Sequence, residues 1–548
     1  MIKKIFNHKL LTNSNPSRTV ASAAFLITVA GLASRMLGLL RDRFLASSFG
    51  AGDTLDVYYA AFRIPDLIYN LLILGALSAA FIPVFTGLIS KNENKDAWKL
   101  ANGLMNLAIF SIIAFSLIFC IFAPFLMRII TPGFSPEKLE KVVAFTRIMF
   151  LSPLFLGISG IFGGILTSFK RFFIYSLAPI FYNIGIIIGV LVFVKFWGPI
   201  GLAWGVVLGA FLHMVIQYPA ARDLGYRHSW QSIKCFKDKN IRRVLKLMVP
   251  RTLGIAINQI NLLVITIFAS MLASGSLAIF NFAQNLQSVP LGIFGISFSI
   301  AVFPTLSSFF AKKDNDNFVN SFSQVFRQIL FFVIPLSVFI ILLRAQLVRV
   351  ILGAGKFDWE DTTLTFQCLG ILAASLFAQS LIPLLARSFY AMHDTKTPFY
   401  VAIFSEFLNI ITVILLIGKV QILSLAIAFS LSSVVQMILL LFILRTKFEN
   451  LDDRKIFRSV SVIALASFLG GIGIQLGKHL ASDFVDMDTF LGVFSQLSFA
   501  ALLGGIIFIG TCYALKSQEF LDFKHSISRR IFRAKKDIIE DTSEVSGI

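Results

Sequence analysis

The chain has 548 residues, of which 57% are hydrophobic and only 14% charged, with 59 Phe and a formal net charge of +20. A mean hydropathy of +0.82 excludes an ordinary soluble protein. Long apolar runs recur throughout, so the composition indicates an all-α polytopic membrane protein. The basic excess sits in short loops and tails, which reads as charge kept inside a membrane rather than as a nucleic-acid surface.

Residues 1–19 are basic and polar, with no small-residue cleavage site after a short apolar core, and are expected to form a cytoplasmic leader. A window of roughly 20 apolar residues then predicts about fourteen spans. They lie near 20–42, 55–88, 98–127, 140–168, 173–196, 200–221, 246–273, 277–309, 320–350, 363–389, 399–418, 421–445, 457–478 and 489–515. Basic residues concentrate in the even-numbered connections, as in Lys91, Lys95 and Lys99, or Lys170 and Arg171. The positive-inside rule therefore puts both termini in the cytoplasm. A basic tail, 516–548, follows the last span. The four cysteines, Cys120, Cys235, Cys368 and Cys512, show no metal or CxxC spacing and read as packing residues.

The chain repeats itself at roughly 220 residues, an interval of six spans. ASSFGAGD (46–53) matches ASMLASGS (269–276), and AAFIPVF (79–85) matches IAVFPTL (300–306). An even number of spans makes the copies parallel. The expected plan is an N-lobe at 20–221, a cytoplasmic linker at 222–245, a C-lobe at 246–445, two additional helices at 446–515 and a central cavity.

Charge inside these spans is the main functional signal, because each ionised group at a helix centre costs roughly 2.5–3.5 kcal/mol to insert. At about 100° per residue, Gly31, Ser34, Arg35, Gly38, Arg41 and Asp42 share one side of the first helix, while Leu32, Met36, Leu39 and Leu40 cover the other. Arginine forks suit an anion, so Arg35 and Arg41 are candidate ligands for an anionic substrate. The structural alternative is an Arg–Asp pair that locks the helix to a neighbour. Asp56 and Arg63 share a face and either line the cavity or pair. The second lobe offers amides instead, among them Asn258, Gln284 and Asn285. Its one deep acid, Glu406, is a candidate site for a coupling Na+ or H+, with Asn258 and Asn409 as neighbours. No GxxxxGK phosphate loop and no nucleophile–base set in a soluble site occurs, so neither ATP drive nor an enzyme is expected.

SRMLGLLRD (34–42), FGAGDTLDVYYAAFRIPD (49–66), GALSAAFIPVF (75–85), TPGF (131–134) and FASMLASGS (268–276) resemble the MurJ-type (MviN) lipid II flippases of the multidrug/oligosaccharidyl-lipid/polysaccharide exporter superfamily. The resemblance runs from about residue 20 to 515. It implies alternating-access transport of lipid II from the inner to the outer leaflet of the bacterial cytoplasmic membrane, while a drive by an ion gradient or the membrane potential is what Glu406 suggests. Membrane lipids and proteins of cell-wall synthesis are the further partners it implies. By motif position, Arg35 and Arg41 match the family's cavity arginines, Asp42 the acid that orients them, Asp56 an acid at the outer mouth and Asn183 a cavity asparagine, which the repeat answers with Asn409. The family's further arginines fall where this chain has Tyr69 and Asn70, and Gln284 and Asn285, with Arg63 and Arg251 as candidate substitutes. Another polyprenyl-diphosphate-linked glycan is the alternative cargo, and a cation-coupled drug antiporter the alternative class.

Overall fold

The computed structural model describes residues 20–74, 81–230, 238–448 and 450–524; within its helices the side chains of 20–28, 74, 249–251, 253–255, 257 and 258 lie outside the description. The leader, most of the basic tail, Cys235 and the side chains of Asn258 and Arg251 are therefore outside the described residues.

Every regular element among the described residues is helical. The first unit of the fold holds α1 (Val20–Phe49), α2 (Asp53–Ala61), α3 (Arg63–Tyr69), α4 (Ile82–Ser90), α5 (Asn94–Ile130), α6 (Pro136–Met149), α7 (Leu151–Ser168), α8 (Phe172–Ile188), α9 (Val194–Trp197), α10 (Gly201–Val215), α11 (Tyr218–Asp223), α12 (Lys239–Ser270) and the start of α13 (Ser276–Pro290). The second holds the rest of α13, then α14 (Ser297–Ala311), α15 (Asn315–Ile351), α16 (Trp359–Ala374), α17 (Leu376–Ala391), α18 (Lys396–Val420), α19 (Leu423–Lys447), α20 (Asp453–Ser482) and α21 (Phe490–Ala514). The segment Ile351–Asp361 belongs to the first unit.

In the first unit α8 lies between α1 and α10. The α8–α10 contact is made of glycine. A Cβ on Gly205 would stand 2.6 Å from the Cα of Gly189, and one on Gly185 would strike Gly209. Apolar side chains give no hydrophobic preference for one another over lipid tails, so close backbone approach has to supply the packing. At one end of the unit Phe81, Phe85, Leu100, Phe162 and Ile165 form a dry core with Ile241 and Val244 of α12. In the second unit α18 pairs with α19 and α20 with α21. Its main core joins Leu306, Phe318, Phe322, Leu384, Phe389, Leu440 and Leu444. Phe110, Phe125, Phe442 and Leu502 are exposed on the bundle surface, as expected for helices that face lipid.

The repeat is visible in the backbone. Helices α5 and α15 are both 37 residues long and both begin at an asparagine. Wide π turns occur at Asn70–Leu74 and again at Leu291–Ile296. The α6–α7 break at Phe150 has its counterpart in the α16–α17 break at Ser375. Left-handed residues at Asn92 and Lys170 return as Lys313 and His393. Each pair is separated by roughly 220 positions, the interval of the sequence repeat.

Nine helical segments among the described residues are long and apolar enough to cross a membrane, or ten when the bent pair α16–α17 counts as one. This is fewer than fourteen for physical reasons. The run Phe172–Asp223 counts once, although α8 and α10 fold back on each other after Gly198 at φ +64°. The span predicted at 55–88 is interrupted near Phe62 and passes through residues outside the description. Helices α1 and α12 carry charge along part of their length.

Gly205→Val is expected to force α8 and α10 apart and to lower stability by roughly 1–3 kcal/mol, the usual cost of overpacking. Thermal unfolding in detergent measures this; an unchanged midpoint would refute the glycine contact.

Candidate functional site

The charged half of α1 meets α8 across a face kept small by Gly38. There the Arg41 guanidinium donates to Asp42 Oδ1 through Nε at 3.0 Å and Nη2 at 2.8 Å. Its Nη1 donates to Asn183 Oδ1 at 3.2 Å. The Asn183 amide in turn donates to the Ser34 carbonyl at 3.2 Å and lies 3.4 Å from the Ser34 hydroxyl. Asp42 is buried, while about 21% of the Arg41 side chain stays exposed. Arg35 is half-buried, less than two turns away on the same helix. Ser34, Arg41, Asp42 and Asn183 thus form one constellation, with Arg35 on the same helix.

Asp56 and Arg63 occupy a different corner and do not hold each other there. Asp56 is 2% exposed and accepts from the backbone N–H groups of Gly275 at 2.8 Å and Ala278 at 3.0 Å. It therefore caps the N-terminus of α13, where the helix dipole favours an anion. Lys138 bridges Asp56 at 2.9 Å and Asp53 at 2.7 Å, with its ammonium 4.2 Å from the Phe134 ring centroid. Ser274 adds a hydrogen bond to Asp53 at 2.6 Å. Gly275 has φ +87° and would press any Cβ into the Ala51 carbonyl, so this turn requires glycine. Arg63, also buried, donates to Thr266 Oγ1 at 2.7 Å and to Asn281 Oδ1 at 3.2 Å. In this conformation both side chains fasten α2 and α3 to the α12–α13 corner. Arg43, at the end of α1, donates to the Ile351 carbonyl at 3.3 Å, and Asp361 receives the Ala51 N–H at 2.8 Å.

The amide positions are spread out. Gln284 and Asn285 are half-buried on α13, where the Asn285 carbonyl accepts from Ser288. Asn70 donates to the Asp66 carbonyl where the first π turn begins. On α18, Glu406 is half-buried, and Asn409, one turn on, is 1% exposed with its Nδ2 unclaimed by any described group.

Two polar features escaped the sequence reading. Lys138 lies just beyond the TPGF motif and carries no sequence signal of its own. His213 reads as packing in sequence, yet it meets Ser159 Oγ at 2.7 Å, and that hydroxyl receives Gln217 Nε2 at 2.5 Å. A hydroxyl in one glycine-rich helix and a histidine some fifty residues later carry no shared local signal.

Asp56→Ala is expected to destabilise the protein by roughly 3 kcal/mol or more, because it removes a helix cap and one partner of a buried ion pair together. Comparison of detergent unfolding midpoints for Asp56→Ala and the exposed-carboxylate variant Asp53→Ala tests this; equal small effects would reject the capping role.

Residues 45–515 match the family model described as lipid II flippase MurJ. The chain is 30% identical over 489 residues to the probable lipid II flippase MurJ of Buchnera aphidicola subsp. Acyrthosiphon pisum, covering 88% of this chain and 95% of the relative. It is 29% identical over 501 residues to the Rickettsia prowazekii protein of the same description, covering 90% and 96%. Among solved structures, lipid II flippase MurJ in an inward closed conformation superposes with a TM-score of 0.73 at 25% identity, covering 90% of this chain and 99% of that one. An inward-facing multidrug-resistance MATE transporter shares the fold at a TM-score of 0.65 and 14% identity, over 76% and 96% of the two chains. The chain is a multi-pass membrane transporter and belongs to the lipid II flippase MurJ family.

Proposed function

We infer that this protein carries lipid II from the inner to the outer leaflet of the bacterial cytoplasmic membrane by alternating access, with both termini in the cytoplasm. The observation that carries this reading is the Arg41 fork, aimed by Asp42 and Asn183 and still partly open, on the polar side of α1 in a chain of this family. A diphosphate leaving water needs donors that replace its hydration, and an aimed guanidinium supplies paired charge-assisted bonds. Arg35 adds a second cation along the same helix, so Asp42 orients one arginine without cancelling the site's positive charge. Ser34 and Asn183 complete the polar lining. Arg63 and Asp56 hold the α12–α13 corner in the conformation described, and Gln284 and Asn285 supply amides suited to a sugar or peptide headgroup.

The second unit is proposed to bind the coupling cation, Na+ or H+, with Glu406 as its charged ligand and Asn409 as a neutral neighbour. Two features support this: Glu406 has a buried oxygen, and the buried Asn409 amide has an atom that the described residues leave unclaimed. The membrane potential would drive net movement of that charge. Proteins of cell-wall synthesis are proposed as partners that supply or consume the cargo.

Expression in a strain depleted of its own lipid II flippase is expected to restore growth. Arg35→Ala and Arg41→Ala should abolish lipid II exposure outside the cell at normal membrane abundance. Arg41→Lys should be poor as well, since a point charge cannot reproduce the fork. Normal flipping by a stable Arg41→Ala protein would sink the clamp role, and rescue of a different polyprenyl-glycan flippase mutant alone would redirect the substrate. Glu406→Ala is expected to lower transport and its dependence on the ion gradient; unimpaired, gradient-dependent transport would remove Glu406 from coupling.

A further inference from the structure

The second unit carries a pair of cations that the transport scheme does not use. Arg344 lies two turns before the end of α15, and Lys478 lies in the last turns of α20. Both heads anchor on the same turn of α15. Arg344 Nη1 donates to the Ile341 carbonyl at 2.6 Å, and Lys478 Nζ donates to the next carbonyl, Leu342, at 3.2 Å. These adjacent carbonyl anchors bring the two cationic heads to one turn. Neither is ion-paired with a carboxylate among the described residues. After these carbonyl bonds, the remaining donors of both groups are unclaimed by described protein groups, while a guanidinium offers five and an ammonium three.

The surroundings fix this arrangement. The Arg344 stem lies against Gly370 of α16, where a Cβ would stand 2.9 Å from its Cδ, and its guanidinium sits 5.8 Å from the Phe366 ring centroid. The Lys478 backbone carbonyl is tied to Gln496, which is tied to Gln346. Both cations are half-buried, so neither simply extends into bulk water. Two like charges brought to one turn in a partly dry site destabilise each other unless an anion is shared between them. The ends of α15 and α20 lie opposite the basic connections, so this turn falls at the level of the outer headgroups under the orientation inferred above.

We propose that Arg344 and Lys478 form a binding site for the phosphate of an anionic phospholipid in the outer leaflet, with the Phe366–Gly370 face of α16 holding the arginine in place. The chemistry required is a phosphate monoanion at headgroup depth, and resident anionic lipid supplies it at high local concentration. The proposal rests on the inferred orientation but not on the cargo, since neither residue belongs to the α1 site.

The test uses the full chain purified in detergent and titrated with phosphatidylglycerol, phosphatidylcholine, undecaprenyl diphosphate or inorganic phosphate, with bound lipid counted by native mass spectrometry. Phosphatidylglycerol should bind in preference to phosphatidylcholine. Arg344→Gln or Lys478→Gln should each weaken that binding roughly five-fold and the double variant roughly thirty-fold, as expected for one surface charge apiece. Arg344→Lys, which keeps the charge, should retain most of it. Glutamine can still donate to the α15 carbonyls, and an unchanged unfolding midpoint in lipid-free detergent verifies that each variant is folded. Equal phosphatidylglycerol binding by the folded double variant overturns the site. Binding of undecaprenyl diphosphate alone overturns the phospholipid assignment, and so does binding of inorganic phosphate alone. Should complementation fail while this lipid preference persists, the transport reading falls and the lipid site stands.

Discussion

An ionised side chain inside an apolar helix must find its partners within the protein, because lipid offers none. The described charges of the first unit follow from that constraint. Arg41 is answered by Asp42 and Asn183, Asp56 by two backbone N–H groups and Lys138, and Arg63 by Thr266 and Asn281. These partners come from different helices, so meeting the charges also decides which helices pack together. The glycines of α8 and α10 serve the same end, because they let α8 settle between α10 and the polar side of α1.

The duplicated plan supplies the frame, and the charged residues break its symmetry. Matching long helices, π turns and helix breaks recur at the repeat interval. Asn183 and Asn409 stand at equivalent places in this pattern. The first is saturated by Arg41, Ser34 and the Pro179 carbonyl, whereas the second keeps an unclaimed buried Nδ2. One backbone plan thus places a saturated asparagine beside Arg41 in its first copy and, in its second, an asparagine with an unclaimed amide one turn from Glu406.

Much of this was legible in the sequence. Apolar runs gave the helical membrane class, the repeat followed from short matched strings, and the polar face of α1 followed from helical spacing alone. The Arg41–Asp42 contact joins neighbours in sequence and was open to inference. What spacing could not supply was the partner from another helix. Asp56 and Arg63 share a face of one stretch, which suggested that they pair with each other or line a cavity together. Their actual partners lie more than 200 positions away, at Gly275, Ala278, Thr266 and Asn281. Lys138 was missed for the same reason. A boundary failed where a break interrupts an apolar run at Phe62, whereas the break expected between 196 and 200 falls at Gly198.

The two groups of charges are also held in different ways, and the difference bears on the transport cycle inferred above. Arg41 is aimed by two side chains and keeps part of its surface open, so a ligand can bind without first breaking the constellation. Asp56 and Arg63 are buried and fully engaged with the turn that begins α13 and with the helices beside it. Any movement of that turn away from α2 must give up a helix cap, a lysine bridge and an arginine fork together. Water entering the opened corner would take over those bonds, which limits the net cost to the difference between protein and solvent partners. A substrate held at α1 can therefore bias the position of this corner only by binding one arrangement of α1 and its neighbours more tightly than the other.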